Sequence, residues 1–145
     1  MTFDHAIEQI QFCYPQIYYA CHTRHQRSRS SPVSVSHRDI EMLVHLDRAS
    51  PTTLTELSHH LDLAASTVSE AIKSLEAHGY VVKGPARTGD RRHTGLTLTQ
   101  KGVEAVRAGS VLEPARLRAV LKKLRKRELE VVTEGLALLS RACRR

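Results

Sequence analysis

The sequence predicts a mainly helical chain built around a winged helix-turn-helix, with further helices on both sides. Three observations lead there. Leu54, Leu57 and Leu61 are spaced three and four apart, as on one helix face, and Val68, Ile72 and Leu75, with Ala71, repeat the pattern. Only Asp62-Leu63-Ala64-Ala65 separates the two, room for a turn and nothing longer. Beyond Gly79, which suits a helix C-terminus, Tyr80-Val81-Val82 and Leu96-Thr97-Leu98 have strand character and bracket a polar tip from Gly84 to Gly95. Two tandem helices and a hairpin with a long basic loop make a helix-turn-helix with a wing. The second helix of such a pair can enter a DNA major groove.

Bulk composition agrees. A chain of 145 residues, 41% hydrophobic, is sized for one domain with a modest core. Lys and Arg number 22 against 15 Asp and Glu, giving a formal +7 and a pI near 9.7. That excess favours an anionic partner, and the hairpin points to double-stranded DNA rather than a membrane. No apolar run approaches the roughly 20 residues of a membrane span, and Met1 to His5 lack the features of a signal peptide. Three irregularly spaced cysteines suggest a reducing cytoplasm rather than a disulfide framework.

Taken in order, Phe3, Ile7 and Ile10 mark a helix to about Cys13, where Pro15 implies a kink or a fresh helix start. Ile17, Tyr18 and Cys21 continue the apolar stripe towards Arg24. His25 to Pro32, with Arg27, Arg29 and several serines, has no apolar period and reads as a loop. Ser36 with Asp39 forms a capping-box pattern opening a helix to about Asp47, with Ile40, Leu43 and Val44 as its buried stripe. Thr53 with Glu56, or Thr55, caps the first helix of the tandem. The second helix begins at Ala64-Ala65 without a side-chain cap, which leaves its amides to water or to a phosphate.

After Thr99 a helix runs through Val103 and Val106 to about Arg107, ending near Gly109. Pro114 suits the first turn of the next, in which Leu117, Val120, Leu121 and Leu124 follow at helical spacing. Leu129, Val132, Leu136, Leu139 and Cys143 form a narrow seam that calls for a partner helix, with a second copy of the chain the natural candidate.

The wing carries a family signature. Asp90, Arg92, Leu98 and Thr99 fall on the pattern Asp-x-Arg, five residues, Leu-Thr, and Gln100-Lys101-Gly102 continues it. In this the chain resembles the MarR family of bacterial transcription regulators. The resemblance implies a homodimer on pseudo-palindromic operators, released by a small molecule or an oxidant, with no obligatory cofactor. It also implies a short strand at Thr52 to Leu54 pairing with the wing. The organisation expected is residues 1–35 as N-terminal dimerisation helices and loop, 36–107 as the DNA-binding lobe, and 108–145 as C-terminal dimerisation helices, in one structural domain. At Arg125-Lys126-Arg127 many members have a Ser-Pro turn, so a break and a single longer helix both stay open here.

With Val68, Ile72 and Leu75 facing inward, the outer face of the recognition helix presents Ser66, Thr67, Ser69, Glu70 and Lys73. Hydroxyls suit phosphates or base edges, Lys73 suits phosphate, and Glu70 can accept from cytosine N4. In the wing, Arg92 holds the family's arginine position, which implies insertion into the minor groove. Arg87 and Arg91 suit phosphates, and Asp90 would orient a neighbouring guanidinium. The alternative for Asp90 and Arg92 is a turn-stabilising ion pair.

Candidate sensing groups are fewer. Cys13 lies among Phe12, Tyr14, Tyr18 and Tyr19, similar to the peroxide-sensing branch of the family, with Cys143 as a candidate resolving thiol. Cys21, His22 and His25 have helical spacing that could bring ligands to a soft metal, which makes a metal-responsive regulator an alternative. Catalysis is not expected, because the chain has no His-Glu-x-x-His, no Gly-x-Ser-x-Gly and no phosphate-binding Gly loop. The other alternative is a nonspecific architectural DNA binder, which would show steep salt dependence without a preferred sequence.

Overall fold

Capping residues explain where most of the helices begin. In the computed structural model, which describes residues 1–22, 35–87, 89 and 92–143, the Thr2 hydroxyl accepts from the His5 amide and opens α1 (Phe3–Cys21). Ser36 and Asp39 close a reciprocal capping box on α2 (His37–Leu43). Thr53 and Glu56 close another on α3 (Leu54–Leu61). As expected, α4 (Ala65–Ala77) starts at Ala64 with no side-chain cap. Thr99 caps α5 (Gln100–Ala108), and Pro114 sits in the first turn of α6 (Pro114–Leu121). The chain breaks before α7 (Lys126–Cys143), which settles the question left open at Arg125 to Arg127.

The α4 C-terminus is a Schellman turn: the Gly79 amide donates to Glu76 and the Tyr80 amide to Leu75. Gly79 takes φ +80° there, a conformation that L side chains rarely adopt. The chain then enters a three-stranded antiparallel sheet of β1 (Thr52–Thr53), β2 (Val81–Pro85) and β3 (Thr94–Leu98), ordered β1-β3-β2. Val81 pairs with Leu98 and Thr52 with Leu96, so the short strand joins the wing as the family resemblance implies.

The chain divides into two compact units, residues 30–110 and residues 1–29 with 111–145. In the central unit Leu57, Val68, Ile72 and Leu96 are fully buried together with Met42, Leu43, Leu46 and Val81. The tandem's apolar stripes and the alternating wing residues therefore meet in one core, a mainly helical winged helix-turn-helix.

Two expectations are corrected. Val44 is exposed rather than buried: its amide keeps the α-helical bond to Ile40, but the side turned inward is that of Met42 and Leu43, and the next turn tightens to three-residue bonds, His45 to Met42 and Leu46 to Leu43. That tighter winding carries Leu46 inward in its place. Pro15 starts no new helix: α1 runs through it to Cys21. The carbonyl four residues back, on Gln11, loses its α-helical donor on a solvent-exposed stretch of the helix.

In the terminal unit the Glu113 amide donates to the Cys21 carbonyl at 2.8 Å, and His22 and Leu112 form an antiparallel bridge. These bonds fasten the end of α1 to the start of α6. Much of the apolar surface of α1 and α7 stays open. Phe3 is 90% exposed, and Ile7, Ile10 and Ile17 on α1 and Val132, Leu136 and Leu139 on α7 are exposed as well.

Candidate nucleic-acid interface

The turn between α3 and α4 sets the presentation of the recognition helix. Asp62 adopts a left-handed conformation, φ 51°, which short polar side chains tolerate best after glycine. The Ser58 hydroxyl donates to the Leu63 carbonyl at 2.7 Å, and the Leu63 amide returns a bond to Ser58. α4 leaves this turn with Val68 and Ile72 fully buried and Leu75 nearly so. Its other face exposes Ser66, Glu70 and Lys73, with Thr67 and Ser69 half-exposed. The residues singled out on this helix therefore share one solvent-facing surface.

Close packing holds the wing to the same core. Gly95 in β3 pairs with both Thr53 and Gly84, and a Cβ placed there would lie 2.5 Å from the Pro85 oxygen and 2.6 Å from Pro51 Cβ. At the base of the wing the Thr99 amide donates to the Tyr80 carbonyl, and the Thr99 hydroxyl donates to Gly79. Lys101 donates to the His78 carbonyl at the end of α4 and lies 4.6 Å from the Tyr80 ring centre. A cation at a helix C-terminus opposes the negative end of its dipole.

At the tip, Arg87, Arg92 and His93 are exposed. Arg87 reaches back to Glu56 at 3.4 Å, so the carboxylate that caps α3 also tethers the wing. Thirty-one residues separate that pair, and no local pattern signals it; Glu56 reads from sequence as a cap alone. Asp90 and Arg91 lie outside the described residues, as does His25 of the metal candidates.

In the same unit, His45 and His60 lie with ring centres 6.1 Å apart, and His60 Nδ1 is buried without a hydrogen-bond partner. Burial, and to a lesser degree the neighbouring His60, hold the His45 imidazole below its ordinary value. An open cleft of about 550 Å³ is lined by His37, Arg38, Glu41, Met42, Leu61 and Leu63.

The candidate sensing residues fall in the terminal unit. Cys13 and Cys143 are exposed and Cys21 is buried, all as free thiols. His22 stacks on Tyr18 at 4.8 Å, and its Nδ1 lies 3.0 Å from the Tyr18 carbonyl. Among the described residues no group of three or more His, Cys, Asp or Glu is placed to hold a metal ion, and no helix is long and apolar enough to cross a membrane.

Comparison with known proteins places this arrangement. Residues 40–85 match the IclR helix-turn-helix domain, a span that runs from α2 to β2 and stops before the Asp90 to Thr99 signature. No curated protein matches the chain in sequence. Among solved structures, FabT of Streptococcus pneumoniae in complex with DNA is similar at TM-score 0.52 and 21% identity, covering 97% of this chain and 96% of that one. A MepR variant of S. aureus bound to an oligodeoxyribonucleotide gives 0.53 and 15%, over 98% of each chain. ZitR of Lactococcus lactis, a zinc-responsive MarR family member, gives 0.51 and 19%, over 97% and 99%. The likeness to MarR-family regulators read from the wing thus extends to the fold of nearly the whole chain.

Proposed function

We propose that this chain is a MarR-type transcription regulator: a cytoplasmic homodimer that occupies a pseudo-palindromic duplex site and represses the promoter it covers. One observation carries the reading. α4 buries its apolar stripe and turns Ser66, Thr67, Ser69, Glu70 and Lys73 outward, in the same compact unit as a wing that exposes Arg87 and Arg92.

Each part has a role in this reading. α4 enters the major groove, where its hydroxyls and Lys73 meet phosphates and base edges. Glu70 accepts from cytosine N4 and, being repelled by phosphate, favours discrimination over nonspecific contact. That favours a regulator over an architectural binder. Arg92 enters the adjacent minor groove, Arg87 and Arg91 meet the backbone, and Asp90 orients a neighbouring guanidinium. FabT and MepR, similar in fold, were both solved with DNA.

The exposed apolar faces of α1 and α7 support the homodimer. Ile7, Ile10, Val132, Leu136 and Leu139 are all between about two-fifths and two-thirds exposed, apolar side chains at helical spacing that a partner helix would cover. A twofold dimer covers it and sets the half-sites about one DNA turn apart. Release by a small molecule or an oxidant belongs to the same proposal, with Cys13 as the exposed thiol on α1 and Cys143 as its resolving partner.

The test is Arg92→Ala on a duplex that the native protein selects. Affinity should fall about tenfold or more, the effect of losing one good contact, while sedimentation still reports a dimer. Unchanged affinity would remove Arg92 from the interface.

A further inference from the structure

The positive charge of this chain is not where the recognition helix is. Residues 30–110, which hold the whole winged helix-turn-helix, contain nine Lys and Arg and nine Asp and Glu, a formal charge of zero. All of the +7 belongs to the other unit, and residues 111–145 alone carry ten basic and four acidic side chains. A neutral recognition unit with Glu70 on its reading face has little long-range attraction for a polyanion.

The excess is concentrated at one place, the turn from α6 into α7. Arg118, Lys122, Lys123, Arg125, Lys126 and Arg127 are all exposed there. Arg125 is neutralised by Glu128, at 2.7 Å, and holds that carboxyl below its usual range. Among the described residues Lys122, Lys123, Lys126 and Arg127 have no ion-pair partner, although Glu130 and Glu134 follow on the same helix. Four uncompensated cations within six residues repel one another, and an extended polyanion relieves that repulsion.

We propose that this turn is a sequence-independent contact for the phosphate backbone of duplex DNA, additional to that of the winged unit. Its chemistry favours phosphates over an acidic protein segment. Residues 122–127 are Lys, Lys, Leu, Arg, Lys and Arg, with Leu124 half-buried, so the turn offers a protein partner little apolar surface to bury, whereas duplex DNA offers one negative charge about every 1.7 Å. The choice of DNA as the polyanion rests on the proposed function; the existence of the cluster does not.

The experiment compares the native protein with the quadruple variant Lys122→Gln, Lys123→Gln, Lys126→Gln, Arg127→Gln, and with a charge-conserving Lys122→Arg, Lys123→Arg, Lys126→Arg variant. Binding to a selected duplex and to an unrelated duplex is measured from 50 to 200 mM salt. For each engaged turn the glutamine variant should lose up to four phosphate contacts, flattening the salt slope by about 3 to 4 on both duplexes. Its preference for the selected duplex should persist, and the arginine variant should keep the native slope. Slopes within about 1 of native would overturn the proposal. So would polyglutamate binding this turn in preference to duplex DNA, which would assign it to an acidic protein partner. Failure of the regulator reading would look different: the native protein would show no preference between the two duplexes at any salt.

Discussion

Replacing Gly102 by alanine tests the packing that fixes the wing to the recognition unit. Gly102 lies in the first turn of α5, against the backbone of Tyr80 just before β2. A Cβ there would meet the Tyr80 oxygen at 2.2 Å and Leu98 Cδ2 at 3.1 Å. The Leu98 methyl can rotate away, but the Tyr80 carbonyl cannot move freely, because it accepts the Thr99 amide at 3.1 Å. Relief therefore requires α5 and β2 to part by the best part of an ångström, stretching that bond and the Thr99 cap. Overpacking of this kind costs about 1–3 kcal/mol and sometimes more, and a weakened hydrogen bond adds about 1 kcal/mol. Alanine returns about 1 kcal/mol as the better helix former. The net is a loss of about 1–3 kcal/mol, or roughly 4–24 °C in midpoint for a unit of this size. Thermal unfolding followed by circular dichroism reads it. Gly84→Ala is the control, since nothing lies within 4 Å of its added Cβ, and it should stay within about 0.5 kcal/mol of native. A Gly102→Ala melt at or above the native midpoint, or an equal drop in both variants, would refute the packing argument.

Glu56→Gln keeps a side chain able to close the α3 cap but releases Arg87, so stability should hold while affinity for a selected duplex rises; weaker binding would show that the tether aids recognition. Glu56→Ala also loses the cap, and its stability should fall by about 1 kcal/mol. For His45, whose folded value is depressed below the ordinary 6.5, the unfolded chain binds more protons than the folded one between the two values. Stability is thus intact above about 6.5 and declines as pH falls through that window. Urea unfolding from pH 7.5 to 5 should show this decline, and His45→Gln should flatten it; an equal decline in both would place its source elsewhere. Leu136→Glu puts a charge in the exposed seam of α7 and should shift sedimentation from dimer to monomer, whereas a dimer of native affinity would take α7 out of the interface.

Signals that live within a few residues were legible in the sequence. The capping boxes at Ser36 and Thr53, the missing cap at Ala64, the stop at Gly79 and the alternation of Leu96 to Leu98 each follow from neighbouring residues, and all appear in the structure. Contacts between distant segments were not legible. The spaces that exclude a side chain at Gly95 and Gly102 are made by Pro51, Tyr80 and Pro85, and the Glu56–Arg87 pair joins a helix start to a hairpin tip. Val44 failed for a third reason: the Val44 amide still bonds Ile40, but the helix buries Met42 with Leu43, so its inner face is rotated from the stripe of Ile40, Leu43 and Val44. Net charge was legible only as a sum. The basic pI pointed towards DNA, but that the excess belongs to residues 1–29 and 111–145 emerged once the two compact units were known.

The central claim is that this chain reads a duplex sequence as a symmetric dimer. The most direct measurement is selection of binding sites from a random duplex library at near-physiological salt. The account predicts enrichment of a pseudo-palindrome whose half-sites lie about one DNA turn apart, roughly 10 base pairs. Duplexes retained without any enriched sequence, or an enriched single site with no twofold partner, would contradict it.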